Sequence, residues 1–79
     1  MAVSDKIKAL LVLKGKKNSE LAEHFGMSIQ TMNNKFYRNS FSSADLIKIA
    51  DFLDCELSFI TTSNQKITLD TDDLKNKRE

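Results

Sequence analysis

The 79-residue sequence predicts a mainly α fold, four short helices followed by a C-terminal β-hairpin. Three observations carry the prediction. Apolar residues recur at spacings of three and four through the first two thirds of the chain, which suits amphipathic helices. Polar breaks holding Gly15, Gly26 and Asn39 cut that pattern into helix-length pieces. Beyond Asp54 the period changes to two, in a stretch rich in β-forming side chains.

Ser4 is placed to cap the first helix, in which Ile7, Leu10 and Leu11 follow at helical spacing to about Lys14, where Gly15 stops it. Gly15-Lys16-Lys17-Asn18 is a short polar link, and it lacks the glycine pattern of a phosphate loop. A second helix begins near Asn18, turns Leu21, Ala22 and Phe25 inward, and ends at Gly26. Ser28 caps a third after a very tight turn. Its inward positions are Ile29, Met32 and Phe36, leaving Gln30, Thr31, Asn33, Asn34 and Lys35 as a polar face. Asparagine competes for backbone groups, so two in mid-helix weaken the helix unless that face has another task. Arg38-Asn39-Ser40 reads as a loop. Ser42 with Asp45 signals a fourth helix, whose stripe is Leu46, Ile49, Ala50 and Leu53, widened by Ile47 and Phe52 and closed by Asp54.

Leu57, Phe59 and Thr61 then alternate with Glu56, Ser58, Ile60 and Thr62. Ser63-Asn64-Gln65 is turn-like and Lys66-Ile67-Thr68-Leu69 is a second strand, so residues 56–69 read as a hairpin. A hairpin alone is marginal in water; it must lean on the helices, pair with a second copy, or both. The expected organisation is a helical domain over 1–56, a hairpin over 57–69 packed on it or used for dimerisation, and a frayed polar tail over 70–79.

A chain this short needs staples or economical packing. One cysteine (Cys55) and one histidine (His24) make neither an internal disulfide nor a four-ligand zinc site, so no metal or other cofactor is expected. Helix packing with dimerisation remains. Cys55 reads as a small core residue, and an unpaired cysteine fits a reducing cytoplasm. No membrane span or signal peptide is evident, and the chain reads as an intact soluble cytoplasmic protein. Paired carboxylates in an apolar setting and a Ser/His/Asp spacing beyond chance are missing, so no catalytic residues are assigned and an enzyme is not expected. The net charge is +1, but it is unevenly spread. Residues 1–38 carry seven basic against three acidic residues (net +4), and 39–79 carry five against eight (net −3). The basic half is the candidate phosphate-facing side.

The informative stretch is Glu20-Leu-Ala-Glu-His-Phe-Gly-Met-Ser-Ile-Gln-Thr-Met32, two helices joined by a glycine turn. Together with Phe36 and with Leu-Ile-Lys-Ile-Ala-Asp-Phe-Leu-Asp-Cys at 46–55, it resembles the Cro/phage-repressor (XRE) helix-turn-helix family. With the first helix added, the resemblance covers roughly residues 4–56. It implies a lambda-repressor-like domain whose third helix lies in the major groove of double-stranded DNA, in a transcriptional regulator acting as a repressor and as a homodimer. By position, base-edge contacts fall on Ile29 and Gln30, then on Asn33 and Asn34. Amide side chains suit adenine because they donate and accept together. Ser28 and Thr31 are in reach of phosphates or bases. Asn18 matches a phosphate-binding position at a helix start, and Lys17, Lys35 and Arg38 add phosphate contacts by charge.

Plainer readings stand beside these. The amide face is also what a solvated surface looks like, and Ile29 suits either a thymine methyl or the core. Met32 and Phe36 are core, and His24 is a surface residue. Leu11 stands where the family often has arginine, Lys35 where it often has a large apolar residue, and the hairpin where it usually has a fifth helix. The alternative function is a protein-interaction module of the same fold, such as an antitoxin, in which the hairpin and Asp70, Asp72 and Asp73 would matter more than the third helix.

Overall fold

The computed structural model describes residues 2–75, as four α-helices, two strands and a terminal 3-10 turn. The helices are α1 (Val3–Leu13), α2 (Asn18–Phe25), α3 (Ile29–Arg38) and α4 (Ser43–Phe52). Strands β1 (Leu57–Ile60) and β2 (Lys66–Leu69) form the hairpin, and Thr71–Lys75 forms the 3-10 turn. The chain makes two compact units, divided between Ser42 and Ser43.

In the first unit the buried side chains are Ile7 and Leu11 of α1, Leu21 and Ala22 of α2, and Met32 and Phe36 of α3. These are the positions that helical spacing assigns inward. Two expectations are corrected, one inward position and one helix cap. Ile29 is 44 % exposed, because it opens α3 at the turn and only the later residues of the helix reach the core. Ser4 is not the N-cap of α1. The helix starts one residue earlier with Ala2 in extended conformation, and the Asp5 carboxylate accepts the Ala2 N–H at 3.1 Å. Ser4 is instead buried in the first turn, where its N–H donates to Asn39 Oδ1 at 2.8 Å. A side chain 35 residues away thus satisfies a first-turn donor that a local cap would ordinarily take.

All four helices stop in the same way. Gly15, Gly26, Asn39 and Asp54 have φ of 67, 72, 55 and 54°. The following N–H turns back to a carbonyl five residues earlier: Lys16 to Leu11 (2.9 Å), Met27 to Ala22 (3.0 Å), Ser40 to Lys35 (3.0 Å) and Cys55 to Ala50 (2.9 Å). This left-handed closure satisfies carbonyls that the helix leaves open, and it selects glycine or the short Asn and Asp side chains. Because Asn39 is the terminator, α3 includes Arg38, which the sequence had placed in a loop. Phe41 lies edge-on to Phe36, ring centroids 5.1 Å apart, and gives the end of α3 an aromatic contact.

In the second unit Ile47, Ile49, Ala50 and Leu53 are buried, and α4 packs against β1 and the 3-10 turn. The strands pair antiparallel with Leu57 opposite Leu69, Ser58 opposite Thr68, Phe59 opposite Ile67 and Ile60 opposite Lys66. A five-residue loop joins them, closed by Thr61 N–H to the Gln65 carbonyl (2.8 Å) and Asn64 N–H to the Thr61 carbonyl (2.9 Å), with Asn64 at φ 67°. One face carries Leu57, Leu69, Phe59 and Ile67. The other is polar apart from the exposed Ile60: the Glu56 carboxylate accepts from Ser58 Oγ and Thr68 Oγ1 and pairs with Lys66 Nζ at 2.9 Å. These partners, the Ser58 hydroxyl foremost and then Lys66, hold the Glu56 carboxyl at about 2, below its ordinary 4.5. Cys55 is half-buried near Ala50 and Leu69. The frayed tail is corrected in part. Residues 71–75 form a turn because the Asp73 carboxylate accepts the Asp70 N–H (2.8 Å) and Leu74 is half-buried; residues 76–79 lie outside the described residues.

Candidate nucleic-acid interface

The residues expected to face DNA fall on α2 and its N-cap Lys17, on α3, and in the turn between the two helices, inside the first unit. Gly26 sets that turn. Its φ of 72° ends α2, and two residues later Ser28 opens α3, its Oγ accepting the Thr31 N–H at 3.1 Å. The Ser28 hydroxyl donates to Thr31 Oγ1 at 2.9 Å. Both side chains therefore serve the cap first, and their remaining lone pairs stay exposed.

With Met32 and Phe36 buried, the opposite face of α3 is fixed by helical geometry. Gln30, Asn34 and Arg38, at successive spacings of four, run along it and are exposed. Neither Gln30 nor Asn34 has a side-chain hydrogen bond among the described residues. Asn33 stands at the edge of this face nearest α2, where its Oδ1 accepts from Asn18 Nδ2 at 2.6 Å. The bond ties the start of α2 to the middle of α3 and commits Asn33's carbonyl, leaving its NH2 as the group offered outward. The other Asn18 amide atom, Oδ1, is buried and has no hydrogen-bond partner among the described residues.

The basic residues separate. Lys17 is exposed at the α2 N-terminus, its backbone N–H held by Glu20 Oε1 at 2.8 Å, and Arg38 is exposed on the outward face. Lys35 departs from them: it is half-buried, with Nζ 5.6 Å from the Phe41 ring centroid. That placement explains why a lysine is tolerated where an apolar residue is usual, since the stem is buried and the ammonium rests on an aromatic face. Lys8 lies similarly over Phe36 at 5.8 Å. Ile29 sits exposed at the leading end of α3 beside Gln30.

Two more residues bear on this face and are not marked by the helix-turn-helix pattern. Tyr37 is 90 % exposed on the outward face, and its spacing of seven from Gln30 was the available signal. Asn39 orients the end of α3 against α1, a long-range role with no local signature.

A family model for the bacteriophage CI repressor helix-turn-helix domain matches residues 6–68, most of the chain. The chain belongs to this family. No curated protein and no solved structure matches it. The match begins in α1 and runs to within one residue of the end of β2, so in this family member the hairpin lies inside the matched region. The CI repressor helix-turn-helix domain is a DNA-binding module of transcriptional regulation, and α2 and α3 form its two-helix motif. No helix among the described residues is long and apolar enough to cross a membrane.

Proposed function

We propose that this protein binds specific double-stranded operator sequences through α3 and acts as a repressor. The carrying observation is three exposed amides on the second helix of the motif: Gln30 and Asn34 opposite the buried Met32 and Phe36, with Asn33 at the edge of that face. Exposed asparagines are poor helix formers, so their place on this helix favours recognition over stability. In this reading Gln30 and Asn34 read base edges, Asn33 offers a donor oriented by Asn18, and Ile29 touches a thymine methyl. Lys17, Arg38 and the Asn18 end of α2 take phosphates, with Ser28 and Thr31 at the groove edge. Lys35 contributes charge from its half-buried position.

The protein acts as a homodimer in this proposal, on half-sites about one helical turn apart. Support comes from the hairpin, where Phe59 and Ile67 pair across the strands yet remain 67 % and 64 % exposed. Apolar side chains that meet each other but no core suit a subunit contact. The same pair favours the second reading, a protein partner docking on the hairpin as in antitoxins.

The test is a titration against the DNA upstream of its own gene and random DNA of equal length, at two salt concentrations. The expected result is tight, salt-sensitive binding that prefers the upstream sequence. Gln30→Ala and Asn34→Ala should each weaken specific binding by about 1–3 kcal/mol with the fold intact. Equal loss on random DNA would remove base reading by these residues. Sedimentation of Phe59→Lys decides the dimer: an unchanged dimer would place the subunit contact elsewhere.

A further inference from the structure

Tyr37 is the most exposed large hydrophobic side chain on α3, at 90 %, and among the described residues it has no hydrogen-bond or ring partner. Nothing in the fold calls for an aromatic there. Tyrosine is a middling helix former, and leaving its ring in water forgoes the burial that usually accompanies one. The position is nonetheless well defined. It lies on the outward face, three residues beyond Asn34 and seven beyond Gln30, in the last turn of α3 next to the exposed Arg38.

Seven residues of helix advance about 10 Å along the axis. The major groove is about 12 Å wide. A helix that seats its first turns on base edges therefore carries its last turn to the groove wall, where the phosphates stand. A phenol is not one of the side chains that pair with a base edge in two directions, but it is a regular donor to phosphate oxygens. Resting on the DNA-binding reading above, we propose that Tyr37 is a further DNA contact, its phenolic O–H donating to a backbone phosphate beside the one taken by Arg38. It is a neutral anchor that sets how far the recognition helix can slide along the groove.

The chain holds one tyrosine and no tryptophan, so its tyrosine emission reports Tyr37 alone. Binding of dye-labelled DNA by anisotropy is followed in parallel with that emission, using wild type, Tyr37→Phe and Arg38→Ala against upstream and random DNA over a salt series. The expected result has three parts. Wild-type emission changes in step with anisotropy on both DNAs. Tyr37→Phe loses roughly tenfold in affinity on both alike. Its dependence of log affinity on log salt keeps the wild-type slope, because a neutral donor releases no counterion, whereas Arg38→Ala flattens the slope. A Tyr37→Phe loss confined to upstream DNA would overturn the phosphate assignment in favour of a base contact. Normal affinity of Tyr37→Phe with unchanged wild-type emission would overturn the contact while leaving DNA binding in place. Wild-type anisotropy that does not respond to either DNA would overturn both this proposal and the reading on which it rests.

Discussion

Substituting Asn39 separates two tasks performed by one residue. Its backbone, at φ 55°, ends α3 in the left-handed region, and its Oδ1 accepts the N–H of Ser4 in the first turn of α1. Asn39→Gly keeps the first task and removes the second. A part-buried donor is then left without a partner, at a cost of about 1 kcal/mol. Asn39→Ala loses both: an alanine in the left-handed region adds roughly 1–2 kcal/mol to that cost. Asn39→Asp keeps the acceptor and the tolerance for positive φ. Its charge lies between the positive end of α1 and the negative end of α3, two opposing effects, so stability should stay within about 0.5 kcal/mol of wild type. For a domain of this size 1 kcal/mol moves Tm by about 4–8 °C. Thermal melts by far-UV circular dichroism should therefore rank the proteins wild type and Asp, then Gly, then Ala, with Ala roughly 8–24 °C below wild type. Two outcomes would refute the reasoning. Gly melting with wild type would mean that the Asn39–Ser4 bond contributes nothing, and Ala melting with Gly would mean that the left-handed backbone does not select the residue.

Three further expectations follow from particular contacts. Gly26→Ala meets no atom within 4 Å, so only its φ of 72° opposes it; the loss should be about 1 kcal/mol in denaturant melts, and a much larger one would indicate a hidden clash. Asn18→Ala and Asn33→Ala should be non-additive in DNA affinity by at least about 0.5 kcal/mol, because each removes the same 2.6 Å bond; strict additivity in a double-mutant cycle would argue that the amides act separately. The Glu56 carboxyl is held at about 2 by Ser58, Lys66 and Thr68 against an ordinary 4.5. Because the folded value is lowered, this contribution is complete above 4.5 and is lost as pH falls toward 2, so Glu56→Gln should flatten the acid limb of stability between those values; parallel wild-type and mutant curves would exclude the linkage.

The helices and their ends were legible in the sequence because the signals are local. Spacings of three and four at Leu21, Met32, Phe36 and Ile49 survive as buried positions, and Gly15, Gly26 and Asp54 stop helices where the pattern breaks. The change of period after Asp54 likewise became a two-stranded ladder, with Leu57 opposite Leu69. The amide-rich face of α3 could be named in advance for the same reason: once Met32 and Phe36 are inward, geometry turns Gln30 and Asn34 outward.

What needed tertiary structure is what depends on residues far apart in the chain. Ser4 looked like a cap because Ser caps helices locally, but its N–H is taken by Asn39, and no window of sequence contains both. That the Lys35 ammonium rests 5.6 Å from the Phe41 ring centroid could not be read from its place on the polar face, because the ring comes from beyond the helix. That the Asn33 carbonyl is already engaged by Asn18, at 2.6 Å, was likewise invisible in the sequence, where the two residues stand 15 positions apart. The sequence by itself determined where helices run and which stripe of each is apolar, since propensity and periodicity act over a few residues. Only the tertiary structure decided which polar groups are already engaged, since a hydrogen bond between helices depends on distances that the packing of those helices creates.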